Sequence, residues 1–160
     1  MSINNIERFL KSKNIAFQVH LYQYKASDLS VDTLAALNGW DVTDIYKTLM
    51  LTDNSDRLII AVLSGNQILD RKRLARHLNI KKVQFISVSD LQAKTGFQRG
   101  GCSPIALRRS AVVVIDSSVY SKQKIFVNAG ERGKLLLMDA QDLIKVCRAD
   151  VVSISNDQSE

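Results

Sequence analysis

One proline, two cysteines, two histidines and one tryptophan are all that these 160 residues hold of those types. Cys102 and Cys147 are too few for a disulfide framework or a thiolate zinc site. His20 and His77 stand far apart in sequence, so no metal cluster is expected, and no motif calls for a cofactor. No apolar run approaches the ~20 residues of a membrane-spanning helix. The first five residues, Met1-Ser2-Ile3-Asn4-Asn5, lack the basic flank and apolar core of a signal peptide. These absences predict a cytoplasmic protein that does not engage a membrane.

What is present is an ordinary globular balance with a basic bias. Lys and Arg number 22 against 16 acids, a net charge of +6. That sign favours a polyanionic partner, although mildly basic surfaces also occur without one. At this length one domain buries roughly 70% of its unfolded surface and needs no covalent staple. Repeats, linkers and low-complexity segments are missing, so 1–154 reads as a single domain and 155–160 as a polar tail.

Hydrophobic periodicity outlines the elements. Ile3, Ile6, Phe9 and Leu10 recur at helical spacing, with Ser2 placed to cap and Asn14 to stop. Phe17, Val19 and Leu21 alternate with Gln18, His20 and Tyr22, the pattern of a half-buried strand. Ser30 can cap a short helix that closes at Asn38-Gly39, and Trp40 reads as a core or rim aromatic. Residues 45–52 and 57–63 form a predicted hairpin around Asp53-Asn54-Ser55-Asp56. Residues 70–78 form a predicted basic helix with Leu74 and Leu78 inward. A strand over 83–86 and a helix over 89–95, capped by Ser89, follow. Strands over 111–116, 125–128 and 135–138, a helix over 140–147 capped by Asp139, and a closing strand over 151–154 complete the chain. Strands outnumber helices, which predicts an α+β fold with a mixed curved sheet or small barrel flanked by helices.

Four stretches could carry chemistry. Gly100-Gly101-Cys102-Ser103-Pro104 joins two glycines to the chain's only proline. Such a loop is stiff and predicts bare N–H groups over 100–103, suited to an anion or a developing oxyanion; a plain tight turn is the other reading. Lys47 lies in a strand whose neighbours are largely apolar, either at a solvated end or pointing into a ligand cleft. Lys72, Arg73, Arg76, His77, Lys81 and Lys82 make a run of one sign, either a solvated face or a set of phosphate contacts. Gly130-Glu131-Arg132-Gly133 is either a hairpin turn or a second backbone approach to phosphate. A Ser103, His20 and Asp116 triad can be assembled on paper, but Ser103 lacks the strand-turn-helix elbow of a nucleophilic serine. Cys102 is a reactive thiol only if its pKa is lowered, and otherwise a small hydrophobe.

Taken together, Tyr22, Tyr46-Lys47-Thr48-Leu49, the Gly-Gly-Cys-Ser-Pro loop and Asn128-Ala129-Gly130-Glu131-Arg132-Gly133 fall in a telling order. The chain resembles, over nearly its whole length, the YbaK/EbsC-like aminoacyl-tRNA deacylases. That family is related to the editing domain inserted in bacterial prolyl-tRNA synthetases. Its marks are a Tyr-Lys-Thr-Leu strand, a Gly-Gly-x-Ser-Pro-x-Gly loop and a Gly-x-Arg-Gly turn. Here Ala106 replaces the last loop glycine, and 134–137 lack an acid that family members often carry.

The resemblance implies hydrolysis of the ester of mischarged tRNA, chiefly Cys-tRNA(Pro), with Ala-tRNA(Pro) as the alternative substrate. A non-catalytic tRNA- or nucleotide-binding module is a further alternative. Positioning and backbone oxyanion stabilisation would suffice without a protein nucleophile, and a cysteinyl substrate's own thiol could attack its ester. The implied catalytic residues are Lys47, Gly100 and Gly101. Implied substrate contacts are Tyr22, Thr48, Cys102, Ser103, Pro104, Gly130, Arg132 and Gly133. Lys72, Arg73, Arg76, Lys81 and Lys82 would hold the tRNA, with prolyl-tRNA synthetase as a further partner.

Overall fold

Leu58–Ser64 is six apolar residues, branched or small, closed by a serine, every one of them buried. Such a run suits only a strand covered on both faces, and it forms the centre of the molecule. The structure, a computed structural model, describes residues 4–105 and 110–156. Among these, five α-helices and eight strands form in the order α1 (Asn5–Ser12), β1 (Phe17–Leu21), α2 (Val31–Asn38), β2 (Ile45–Asp53), β3 (Leu58–Ser64), α3 (Arg71–Leu78), β4 (Val83–Phe85), α4 (Val88–Thr95), β5 (Val112–Asp116), β6 (Lys124–Asn128), β7 (Lys134–Asp139), α5 (Ala140–Cys147) and β8 (Asp150–Val152).

The strands make one mixed sheet in the order β1-β7-β6-β2-β3-β5-β8, with β4 added to β2. Its ends are β1 and β8, so the sheet is open and the α+β expectation is met by a sheet rather than a barrel. On one face Tyr46, Met50, Ile60 and Val62 pack with Ile6 and Leu10 of α1 and Leu143 of α5. On the other, Leu51, Ile59, Ala61 and Leu63 pack with Leu74 of α3 and with Ile154. Alternate residues of β2 and β3 thus feed two cores, as the period of two in a strand requires.

Local chemistry explains the ends. The cap expected at Ser2 lies outside the described residues; Asn4 caps α1 in a reciprocal box with Glu7. Ser30 and Asp139 cap α2 and α5 as expected. α4 begins one residue early because Ser87, not Ser89, accepts the N–H of Asp90 at 3.3 Å. The last strand ends at Val152, since the Ile154 N–H turns away to donate to Asp116 Oδ1 at 2.9 Å. Ser155 and Asn156, expected in the tail, pair with the β3–α3 loop: Ser155 bridges Leu69, and Asn156 N–H donates to Ile68 O. At the start of β7, Lys134 is buried against the carboxylate of Glu7, which fastens α1 beside the 129–133 turn. A buried pair of this kind costs most when only one partner is removed.

Candidate active site

β2 shares its outer edge between two partners, and the site lies where neither reaches. β6 pairs with Ile45 and Tyr46, while β4 pairs with Leu51, Thr52 and Asp53. Met50 O accepts the N–H of Ile86 at 3.1 Å, which sets the parity of the strand. Alternation then turns the N–H and C=O of Thr48 toward the gap. The hydroxyl Oγ1 of Thr48 is also buried and has no hydrogen-bond partner among the described residues. A cleft of about 500 Å³ opens at this point. Its floor is Lys47 to Met50, and its walls include Tyr22, Leu29, Asp32, Phe85, Ile86, Gly100, Cys102 and Asn128.

Lys47 lines the cleft half-buried, and its ammonium donates to the carbonyl oxygens of Gly65, at 3.3 Å, and Gln67. Burial pushes its pKa below the ordinary lysine value, and the nearby Asp32 carboxylate opposes that shift. The loop holding Lys47 is fixed in turn by Gln67. Its Oε1 accepts from Ser64 N–H at 3.0 Å and from Ser118 Oγ at 3.2 Å, and its Nε2 donates to Asp116 Oδ2 at 3.0 Å. Asp116 is 2% exposed. Burial works to raise its pKa, but hydrogen bonds from Ile154, Ser118 and Gln67 outweigh it and hold the carboxyl below its ordinary range. Tyr46 closes the network, its hydroxyl 2.9 Å from Ser118 Oγ.

The glycine loop lines the same cleft as Lys47 through Gly100 and Cys102. Gly100 has φ +82°, which favours glycine, and its carbonyl accepts from Asn128 Nδ2 at 2.9 Å. Asn128 Oδ1 accepts the N–H of Gly130 at 2.7 Å, and Tyr22 Oη lies 3.4 Å from Asn128 Nδ2. Arg132 Nε donates to Arg99 O at 2.7 Å. The 129–133 turn therefore braces the loop from behind. A Cβ on Gly101 would lie 3.1 Å from Arg132 N and Glu131 Cα, so this position admits no side chain without backbone movement.

The structure brings Tyr22, Lys47, Thr48, Gly100 and Cys102 to one cleft. Gly101, Ser103, Pro104, Gly130, Arg132 and Gly133 are absent from its lining; Gly130 and Arg132 brace the loop, and the Gly133 carbonyl accepts the N–H of Tyr22 at 2.9 Å. One donor expected to be bare is not: Gly101 N–H donates to Gln98 O at 2.8 Å. The N–H groups of Gly100, Cys102 and Ser103 make no hydrogen bond to another described residue. Ser103 is fully buried, and its hydroxyl accepts the N–H of Ile105 at 3.2 Å. His20 packs edge-on to Trp40 and Phe126, and Asp116 holds Gln67, so the three triad candidates serve three separate places. Burial pushes the Cys102 thiol up to about 11, which keeps it protonated and inert near neutral pH. Ala106 lies outside the described residues.

On the basic helix, Lys72 and Arg76 face solvent, as do Lys81 and Lys82 beyond it. Arg73 is committed elsewhere: its guanidinium donates to Ser153 Oγ at 3.0 Å and Ser155 O at 3.1 Å. Gln67 was not singled out by sequence, since a lone amide carries no pattern, and Asn128 entered only as the first residue of the 128–133 stretch, with no role given to it. Asn128 had one available signal, its place directly before the Ala-Gly-Glu-Arg-Gly turn.

A family model, the aminoacyl-tRNA editing domain, matches residues 28–146. An Enterococcus faecalis protein provisionally named a Cys-tRNA(Pro)/Cys-tRNA(Cys) deacylase, EbsC, is 28% identical over 151 residues, covering 94% of this chain and 92% of that one. A proline–tRNA ligase of Shouchella clausii is 27% identical over 104 residues, 65% of this chain but 18% of the ligase. Among solved structures, hypothetical protein APE2540 superposes with a TM-score of 0.86 at 24% identity, over 96% of this chain and all (100%) of the other. A protein described provisionally as a trans-editing enzyme for prolyl-tRNA synthetase gives 0.82 at 18% identity, over 98% and 100%. The last two likenesses establish the fold. With three-quarters of its length inside the family model, the chain belongs to the aminoacyl-tRNA editing domain family.

Proposed function

We propose that the chain hydrolyses the ester joining a wrong amino acid to tRNA, acting in trans, with Cys-tRNA(Pro) as the favoured substrate. The observation that carries the reading is the open edge of β2 at Thr48, which lines one cleft together with Lys47, Tyr22, Gly100 and Cys102. An aminoacyl ester is already activated, so a site that positions it and stabilises the oxyanion needs no protein nucleophile.

In this reading the free N–H groups of Gly100 and Cys102 face the ester carbonyl or the terminal ribose. Lys47, spared one N–H by its two carbonyl partners, takes a ribose hydroxyl or phosphate. The carbonyl of Thr48 and the carboxylate of Asp32 suit the substrate's ammonium. Water, or the substrate's thiol where the ester is cysteinyl, adds to the carbonyl carbon, and the 3′-terminal ribose leaves as its hydroxyl. The apolar Leu29 and Ile86 in the cleft wall suit an uncharged side chain. EbsC carries cysteine in its name, and this supports cysteine ahead of alanine. Prolyl-tRNA synthetase is proposed as the partner that delivers the mischarged tRNA, on the likeness to the ligase.

The test is deacylation of Cys-tRNA(Pro), Ala-tRNA(Pro) and Pro-tRNA(Pro) side by side. Loss of the cysteinyl ester alone supports the full reading. Loss of the alanyl ester alone keeps the enzyme class and moves the substrate. Survival of all three overturns the catalytic reading in favour of a binding module.

A further inference from the structure

The lip of the cleft built by β4 and the start of α4 exposes apolar groups where the fold does not require it. Phe85 is 50% exposed and Val88 69%, and both line the cleft mouth. A scattered exposed apolar side chain is common and needs no explanation. Phe85 differs in two respects. The guanidinium of Arg71, at the start of α3, lies 5.5 Å from its ring centre. The ring also sits where a basic stripe meets the cleft. Lys81 and Lys82 directly precede β4, α3 packs on β4, and Lys72 and Arg76 face solvent on that helix. Tyr24, 44% exposed, stands in the β1–α2 segment that also lines the cleft.

We propose that Phe85, held by Arg71, is a stacking platform for an unpaired base of the RNA 3′ strand that carries the ester into the cleft. This rests on the reading of the site as an aminoacyl-tRNA esterase. An ester at a 3′ end reaches Lys47 and Thr48 only if the last unpaired nucleotides pass the cleft mouth. A base offers a π face whatever its identity, so an exposed ring grips single strands without reading sequence, and cations nearby hold the phosphates. Arg71 restrains the ring before RNA arrives, so less side-chain freedom is lost on stacking. Charge complementarity selects RNA over an apolar protein segment, because the approach from α3 is lined by Lys72, Arg76, Lys81 and Lys82.

The experiment titrates the full chain, by fluorescence anisotropy at fixed ionic strength, into two uncharged fluorescein-labelled RNA hairpins. One carries a four-nucleotide unpaired 3′ extension and the other is blunt. The platform predicts that the extension tightens binding roughly 5- to 100-fold. Phe85→Ala is expected to abolish that gain without changing affinity for the blunt hairpin, and Phe85→Trp to keep it. Equal binding of the two hairpins by the unaltered chain, or a gain that survives Phe85→Ala, overturns the proposal. The readout needs no hydrolysis: a retained gain without deacylation removes only the esterase reading, and deacylation without a gain removes only the platform.

Discussion

The side-chain amide of Asn128 donates to the carbonyl oxygen of Gly100 at 2.9 Å while its oxygen accepts the N–H of Gly130 at 2.7 Å, so one side chain ties the glycine loop to the turn behind it. Peptide planes in a loop are set by such partners, and here the plane between Gly100 and Gly101 is held on both sides. Asn128→Ala leaves the Gly100 carbonyl only the Tyr22 hydroxyl, a donor at 3.5 Å. Ester hydrolysis is expected to fall about tenfold, the worth of one lost hydrogen bond of ~1.4 kcal/mol. Single-turnover rates measured with a thermal melt check this; a full-rate variant would show the loop to be rigid without Asn128.

Gly101 matters for what it lacks. Adding a methyl group there places a carbon 3.1 Å from Arg132 N and Glu131 Cα, backbone atoms that cannot swing aside. Gly101→Ala is expected to push the loop away from the turn, lowering stability by ~1–3 kcal/mol and hydrolysis by more than the Asn128 variant does. A denaturant midpoint and a rate, read on the same preparation, separate the two effects.

Cys102 lines the cleft, yet its thiol is pushed up to about 11 by burial. Thiolate is scarce between pH 7 and 8.5, so alkylation by iodoacetamide is expected to be far slower than for a free thiol of pKa near 8.5. Cys102→Ala should keep ester hydrolysis within a few-fold. Loss of turnover in that variant would point to a covalent mechanism and against backbone stabilisation.

Asp116 binds its proton less readily in the folded chain than its ordinary value of 3.8 implies. It therefore contributes stability in full above pH 3.8, and the contribution fades as pH falls through the lower folded value. Asp116→Asn should cost ~2 kcal/mol at pH 7, because the Ile154 and Ser118 N–H groups lose a charged acceptor. Its stability should also depend less on acid than that of the unaltered chain, which urea midpoints at pH 3 and pH 7 compare directly. Since Asp116 orients Gln67, whose carbonyl holds Lys47, hydrolysis should fall with it.

Much of the architecture is local information, which is why periodicity finds it. The apolar run of β3, the alternation in β1 and the inward Leu74 of α3 each follow from neighbours a few residues away. Lys47 and the Gly100 loop stood out from their local residue pattern, whereas Tyr22 and Thr48 entered only through the family resemblance; all four line the cleft. The gap at Thr48 was not visible, because it exists only once β6 and β4 have chosen different stretches of β2. Gln67 was hidden likewise, and Asn128, though it headed a quoted stretch, carried no sign of its bond to Gly100: each joins segments tens of residues apart. The α4 cap was misplaced for a smaller cause, two serines two positions apart that both suit a cap, with Ser87 chosen by the extended path out of β4. Arg73 sat in a run of one sign, and only the return of the chain at Ser153 and Ser155 distinguishes it from its neighbours.

The central claim is that Lys47 and the open edge beside it act on an aminoacyl ester. The most direct measurement is single-turnover deacylation of Cys-tRNA(Pro) by the unaltered chain, by Lys47→Ala and by Lys47→Met, with matched melting curves to show that the variants fold. Hydrolysis by the unaltered chain and a loss of roughly 10- to 100-fold in both variants is the expected result, the scale of one lost hydrogen bond from a charged donor. Folded variants that hydrolyse the ester at the unaltered rate would contradict the account.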